Sequence, residues 1–425
     1  MARQPLTPSI RPRLAAPPSA PEVAVIGAGA AGIAAARRLA GAGIGVVVLE
    51  ARHRVGGRAV TVPLRGHPVD LGAHWLHAGP VNPLVALGAK RGEPVRRAPV
   101  EGHLFVRGRR ASGPERAALD RAFARADAAM THAARSPEDR AAASALGPLG
   151  RFGRHVAQVH GLVSGRPLGE VSLHDFPSLE YADNRFIAGG LGAYLARLAQ
   201  GLPVRLGTPV LGLDWSGPGV RVETAAGTLA VKAAIVTLPM AVLQAGGVRI
   251  APDWPAPVAE AVHAFVPGIY EHVVLHWPNH PFRCADRLAA LLGTRPEPPG
   301  LLTAIDGTPF HFFEIDAPLA ARLDGRDALA PARLARRALA EQFGARALGG
   351  LSVPVATAWR HDPWSRASWA VVPPGRAFAR ERLKAPVAAR IWFAGEALSR
   401  DQWGTVGGAW EEGTRAADEV AAALA

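Results

Sequence analysis

VAVIGAGAAGIAAARRLAGAGIGVVVLEARHRVGGR, residues 23–58, is the stretch whose reading decides the fold. Val23, Val25 and Ile26 make a short apolar strand. Gly27, Gly29 and Gly32 follow as Gly-x-Gly-x-x-Gly, directly before an alanine-rich helical run from Ala30 to Ala42. Each glycine meets a separate steric demand. Gly27 permits a tight turn, Gly29 lets the backbone approach a pyrophosphate, and Gly32 lets the helix pack on the strand. The start of that helix offers unpaired N–H groups and the positive end of a dipole to an anion. Val46 to Leu49 make a second strand, and Glu50 stands 23 residues after Gly27, where a carboxylate bonds ribose hydroxyls. Strand, glycine loop, helix, strand and acid together predict a dinucleotide site.

Working outward, 425 residues with 49% hydrophobic content suffice for two domains with substantial cores. Apolar runs stop short of the ~20 residues a membrane span needs, so no membrane anchor is expected. Residues 1–20 carry Arg3, Arg11, Arg13 and five prolines with no continuous apolar segment, and read as a disordered arm rather than a signal peptide. A single cysteine, Cys284, excludes an intrachain disulfide and fits a reducing, cytoplasmic setting. The formal charge of +13 raises nucleic acid as a partner, but the arginines are scattered, with no basic run and no interleaved aromatics, so none is expected. Only Lys90, Lys232 and Lys384 are lysine among 48 basic residues, and the bias toward Arg, Ala, Gly and Pro suggests a GC-rich bacterial genome. A positive field also works against a polycationic substrate unless local acids intervene.

Beyond Glu50 the unit extends through Arg52, Arg54, Gly56, Gly57 and Arg58 as Glu-Ala-Arg-x-Arg-x-Gly-Gly-Arg. This pattern resembles the flavin-containing amine oxidase family, the monoamine and polyamine oxidases and their relatives. The resemblance implies FAD, with Glu50, Arg52, Gly57 and Arg58 among its binding residues and the glycine pair and its arginine adding contacts to the pyrophosphate. It also implies an α/β fold: a Rossmann-type, glutathione reductase-like FAD domain (21–74, 186–246 and 386–425) interleaved with an α+β substrate domain (75–185 and 247–385).

Val69 to His77, VDLGAHWLH, matches a family stretch that passes beside the flavin ring. His77 is there a candidate substrate contact or a hydrogen-bonded loop histidine. Residues 102–165 are Ala- and Arg-rich, with helical spacing from Ala117 to Ala134, and read as a helical insertion that says little about chemistry. Glu170, Asp175, Glu180 and Asp183 could each meet a cationic substrate or be solvated. The Gly-Gly at 189–190 before a helix resembles the family's return to the FAD domain. Strands at 204–206, 210–215, 220–224 and 229–231 follow, then the buried run 233–239. By the resemblance, the backbone of Val210 faces the adenine.

The main departure lies in GIYEHVVLHWP, residues 268–278, where family members have Gly-x-x-x-Lys-Val-x-Leu-x-Phe and the lysine holds a water against flavin N5. His272 takes the lysine position. Period-two alternation puts Tyr270, His272, Val274 and His276 on one strand face. An imidazole with a pKa near ~6.5 is largely neutral at pH 7, whereas an ammonium near ~10.4 is a fixed cation. Three roles are therefore open to His272: holding the same water, acting as a base on the substrate, or filling space. Glu314, on a strand from Phe310 to Ile315, is the acid expected to point inward.

Trp359 to Trp369, WRHDPWSRASW, resembles the family's Trp-x-x-Asp-Pro-aromatic-Ser-x-Gly-x-Tyr. The resemblance sets Trp359 and Trp364 at the cofactor and Trp369 on an aromatic wall of the substrate site. Ser368 falls where mitochondrial monoamine oxidases have the cysteine bonded to the flavin, so FAD is expected to be noncovalent. Thr405 falls on the second wall, which puts a two-aromatic cage in doubt. The strand Ile391–Phe393 leads through Gly395 and Glu396 to a small-residue helix start at 404–409, which aims a second helix dipole at the flavin. Glu396 then lies near the ribityl chain and pyrophosphate, and the Thr405 and Val406 backbone near N1 and O2, where it stabilises charge on the reduced ring.

The implied activity is oxidation of a primary or secondary amine by hydride transfer to flavin N5, with O2 giving hydrogen peroxide, in a monomer or homodimer. His272, Trp369, Thr405 and His77 are the candidate catalytic residues, and no metal is implied. Two other classes stay open: a flavin enzyme acting on a non-amine C–H bond or using another acceptor, and a flavoprotein binding module without turnover.

Overall fold

A computed structural model describes residues 7–99, 102–282 and 284–425. Val23–Ile26 is the central strand of a five-stranded parallel sheet, ordered Ile391–Phe393, Ala233–Val236, Val23–Ile26, Val46–Leu49, Val204–Arg205. These strands are unbroken apolar runs because both sheet faces are covered. Val23, Val25, Val46 and Val48 pack in one cluster with the Ala30–Gly41 and Val406–Leu424 helices, while Ala24, Ile26, Val47 and Leu49 pack in another with Leu213, Val222 and Phe393. The alanine and glycine content of both helices follows from their close approach. A Cβ on Gly413 would lie 2.1 Å from the Ala31 carbonyl oxygen.

A second, seven-stranded mixed sheet is ordered Ser352–Ala356, Tyr270–His276, Phe310–Asp316, Leu301–Thr303, Arg287–Leu292, His103–Val106, Arg109–Arg110. The period-two reading of Tyr270–His276 holds. Val273, Leu275 and Trp277 pack against the Ala330–Phe343 helix, whereas Val274 packs with Phe310, Phe312 and Leu71 on the face toward the first sheet. The Gly113–Ala133 helix begins with a capping box, in which the Ser112 N–H donates to Glu115 Oε2 at 2.8 Å and the Glu115 N–H donates to Ser112 Oγ at 3.4 Å. With the Gly153–Ser164 helix it closes the outer side of the space between the sheets. No helix among the described residues is long and apolar enough to cross a membrane.

Three expectations change. Residues 7–20, read as part of a disordered arm, lie along the first domain. The Ser9 N–H donates to the Thr61 carbonyl at 2.8 Å, the Ala15 N–H donates to that of Leu202 at 3.0 Å, and Ile10 and Leu14 pack on the core. Proline-rich chain can dock without regular structure when a few apolar side chains anchor it, a pattern too sparse to register as periodicity. The start of the helical insertion is instead a hairpin, 103–106 with 109–110, that extends the large sheet. The boundary placed at 247 also moves. Arg249–Ala251 pairs in parallel with Gly212–Asp214, and Val262, Phe265, Val372 and Leu383 share the cluster of Ile26 and Leu49. Residues 247–265 and 372–385 therefore pack with the dinucleotide unit.

Candidate functional site

A cavity of about 850 Å³ begins at the glycine turn after Val23–Ile26 and continues between the two sheets. At its first end Gly27, with φ +105°, turns so tightly that a Cβ would lie 2.6 Å from Thr237 Oγ1. Gly29 and Gly57 both line the floor, and a Cβ on Gly57 would come 3.2 Å from Gly29 Cα. Gly32 is absent from the described wall. A Cβ there would lie 1.9 Å from the Gly27 carbonyl oxygen, in keeping with its role in packing helix on strand.

The Glu50 carboxylate is buried at the edge of this floor, accepting from the Ala28 N–H at 2.7 Å and the Arg52 N–H at 2.9 Å. Arg52 donates to Asp362 and to Ser365 Oγ, each at 2.7 Å, and so ties the loop after Glu50 to the segment carrying Trp359 and Trp364. All four of these residues, Arg52, Ser365, Trp359 and Trp364, line the cavity, and so does Val210. Burial lowers the neighbouring Arg54 to about 10, with repulsion from Arg52 adding to it.

Further in, Arg58 donates to Glu396 at 3.0 Å and to the Ser368 carbonyl at 2.9 Å. Glu396 also accepts from the N–H groups of Ala370, at 3.1 Å, and Gly404, at 3.2 Å. Gly395 has φ +137°, and a Cβ there would meet nothing within 4 Å, so the wall is recessed where a side chain would otherwise enter. Thr405 caps the last helix by accepting from the Gly408 N–H at 3.0 Å, while its hydroxyl donates to the Gln402 carbonyl at 2.7 Å. Val406 follows it in the cavity wall. Two helix starts, a recessed glycine, a buried acid and arginines at matched places form a cradle that fits an extended dinucleotide with a flavin ring.

At the other end stand Tyr270, Trp369 and Glu314. The Tyr270 and Trp369 rings are 6.0 Å apart and inclined at 31°, and Trp369 is fixed by an Nε1–H bond to the Ser164 carbonyl at 2.9 Å. Glu314 is buried, with Tyr270 donating to its Oε1 at 3.4 Å. Burial raises the carboxyl to about 7, against the smaller lowering effect of that bond. His77 lines the cavity, with Nδ1 at 3.0 Å from Asn184 Oδ1, and burial lowers it below its ordinary value.

His272 stands elsewhere. Among the described residues that wall the cavity, Tyr270 is present and His272 is not. The His272 ring lies stacked on Phe312 at 4.3 Å and 22°, neither ring nitrogen makes a well-formed hydrogen bond, and burial lowers it to about 3 against a smaller raising effect of the Asp70 backbone. Two residues along one strand face move a side chain by about 7 Å, enough to take His272 behind the wall that Tyr270 forms. Of the acids at 170–183, Asp175 is paired with buried Arg380 at 2.6 Å and Asp183 with Arg185 at 2.7 Å. None of Glu170, Asp175, Glu180 and Asp183 lines the described cavity.

Other wall residues have no role that the sequence reveals. Strand alternation puts Tyr270 on the right face, but the sequence pattern points to Thr405 for the second wall. His74 lines the cavity with Nδ1 at 2.9 Å from Asp70 Oδ2, and Asp70 also accepts from Thr61 Oγ1 at 2.5 Å. Leu119, Phe123, Val159 and Leu162 line it from the insertion. Their helical spacing is visible in the chain, but nothing in it separates a cavity face from a core face. No cluster of three or more metal-ligating side chains occurs among the described residues.

With this geometry in hand, comparison with known proteins is specific. The model of the family described as flavin containing amine oxidoreductase matches residues 30–150 and 108–421. The chain belongs to that family. Polyamine oxidase 4 of Oryza sativa subsp. japonica is 28% identical over 97% of this chain and 91% of its own length. Lysine-specific histone demethylase 2 of Homo sapiens is 26% identical over 94% of this chain, which spans 53% of that protein. A solved structure of wild-type putrescine oxidase bound to putrescine shares the fold, with TM-score 0.76 and 18% identity over 95% of this chain and 99% of that one. This flavin-containing amine oxidoreductase family member thus has the α/β architecture expected of it, a parallel dinucleotide-binding sheet beside a mixed one.

Proposed function

We propose that the protein oxidises a primary or secondary amine to an imine with noncovalently bound FAD. The observation that carries this is the placement of a buried carboxyl, Glu314, and two aromatic rings, Tyr270 and Trp369, in the same cavity as the glycine cradle. FAD, when bound, supplies the hydride acceptor and passes the electrons on to O2, giving hydrogen peroxide. The chain's own groups do the rest. Gly27, Gly29, Gly57 and the start of the Ala30–Gly41 helix would hold the pyrophosphate, with Glu50 at a ribose and Arg58, Gly395 and Glu396 beside the ribityl chain. The N–H groups at the start of the Val406–Leu424 helix would face the ring.

Tyr270 and Trp369 wall the substrate end side by side, set the reacting carbon against apolar ring surface and keep water away. An amine gives up hydride only when its nitrogen lone pair is free. Glu314, titrating at about 7, can take the proton of an incoming ammonium and hold it on a carboxyl oxygen. The Ser368 hydroxyl donates to the Tyr270 carbonyl at 2.7 Å and accepts from its N–H at 2.9 Å. That side chain is thus committed to positioning Tyr270, which supports a noncovalent cofactor.

The position of His272 favours one second reading, in which the acceptor is not O2, because the described cavity wall has no His272 side chain and no lysine. Anaerobic mixing of the FAD-loaded protein with a panel of amines tests the main reading. Bleaching of the flavin band by an amine supports it, and bleaching only by alcohols or other donors overturns it. Admitting O2 to the reduced protein then separates the two acceptors, since reoxidation slower than turnover with an artificial acceptor excludes O2.

A further inference from the structure

We infer that the substrate is an amine bearing a long, unbranched apolar tail rather than a polycation, an inference that rests on the amine oxidation proposed above. The outer half of the cavity is walled by two helices. From Gly113–Ala133 come Arg116, Leu119, Asp120 and Phe123, spaced i, i+3, i+4 and i+7, and from Gly153–Ser164 come His155, Val159, Leu162 and Val163, spaced i, i+4, i+7 and i+8. Each set presents about 10–12 Å of one helix face to the cavity, the reach of roughly eight extended methylenes at C–C bonds of ~1.5 Å. Ala289 of the large sheet and Pro299, in the loop before Leu301–Thr303, also line the cavity.

Charge is scarce along this passage. Arg116 and Asp120 are exposed at its mouth, one of each sign, and His155 is buried and lowered to about 4, hence neutral. Of the carboxylates that line the described cavity, Glu50 and Glu396 are engaged at the cofactor end, which leaves Glu314 as the buried acid on the substrate side. A substrate with one ammonium meets one carboxyl. One with three or four would bury the remainder among Leu, Val and Phe, with neutral groups such as His155 and Tyr181 but no second buried carboxylate to receive them, at a desolvation cost that hydrogen bonds to neutral acceptors offset only in part. The net charge of +13 adds a repulsive field for a polycation. A methylene tail, by contrast, is stabilised by burial, about three- to fourfold in affinity per CH₂.

The test is anaerobic stopped-flow reduction of the FAD-loaded enzyme by n-butylamine through n-decylamine, with 1,8-diaminooctane and spermidine alongside. The apparent Kd should fall about three- to fourfold per added methylene. Spermidine, whose inner nitrogen would lie within the apolar passage, should bind more weakly than n-octylamine by about 100-fold or more. 1,8-Diaminooctane, whose second ammonium reaches the mouth between Arg116 and Asp120, should bind no more tightly than n-octylamine. Phe123→Asp and Val163→Asp, half-buried positions on separate helices, should each flatten the chain-length series, and Phe123→Leu should restore its slope. A flat series in the wild type, or tighter binding of spermidine or 1,8-diaminooctane than of n-octylamine, overturns the tail inference and leaves amine oxidation standing. Failure of every amine to bleach the flavin removes the amine-oxidase reading and this inference with it.

Discussion

The Tyr270 hydroxyl donates to the Glu314 carboxylate across 3.4 Å, between antiparallel strands in a register that sets His272, not Tyr270, opposite Glu314. The bond is therefore diagonal, reaching from the cavity wall to an acid two residues along. It joins the residue that walls the substrate space to the group best placed to take a proton there, and it works against burial, which raises the acid.

Flavin reduction should gain rate as pH rises through about 7, where Glu314 ionises and can accept the ammonium proton. Tyr270→Phe removes a bond that favours the ionised acid, so the rising limb should move to higher pH. Glu314→Gln should abolish the limb and slow reduction by about 10²–10⁴-fold. A pH profile of anaerobic reduction that is the same in Glu314→Gln as in the wild type would falsify the assignment.

The same carboxyl affects stability. Its ordinary value of 4.5 rises to about 7 in the fold, so between these values the folded state binds more protons than the unfolded state, and stability falls as pH rises. Glu314→Gln should match the wild type near pH 4.5 and exceed it above pH 7, by up to ~3 kcal/mol. Urea unfolding midpoints at pH 5 and pH 8 check this, and an equal offset at both would count against it.

His272 runs the other way. Burial holds it at about 3 against 6.5, as it does His311, so stability present above pH 6.5 is lost as pH falls toward 3. His272→Leu removes two ring nitrogens that make no well-formed hydrogen bond from an apolar contact with Phe312 and should make the protein less sensitive to acid. Both flavin half-reactions should stay within about twofold of the wild type. Reoxidation by O2 that slows much more than anaerobic reduction would return His272 to the oxygen chemistry its sequence position suggests.

Glu396→Ala should weaken the hold on the cofactor. It strips Arg58 of its ion pair and leaves the N–H groups of Ala370 and Gly404 without their acceptor. Losing a buried charged acceptor costs about 1–3 kcal/mol, or roughly 10- to 100-fold in FAD affinity. The ratio of flavin to protein absorbance after gel filtration reports it directly, and full FAD occupancy would place Glu396 outside cofactor binding.

Much of this was legible in the chain. Gly27, Gly29 and Gly32 declare a backbone too close to itself, or to a ligand, for any side chain, and that steric demand is local, so sequence alone determined the dinucleotide sheet and its helix. Val46 to Leu49 and Ala233 to Val236 likewise declare strands covered on both faces. Tertiary structure alone decided which side chains meet in the cavity. Tyr270 and His272 share a strand face and have the same parity, yet the wall ends between them, because Phe312 from the neighbouring strand covers His272. Leu119 and Phe123 carry a helical stripe that looks like core, and only the placement of their helix against the gap between two sheets makes it a passage. Periodicity reports that a face is apolar. Whether protein or ligand fills the space beside it depends on contacts between residues far apart in the chain, which no local pattern encodes.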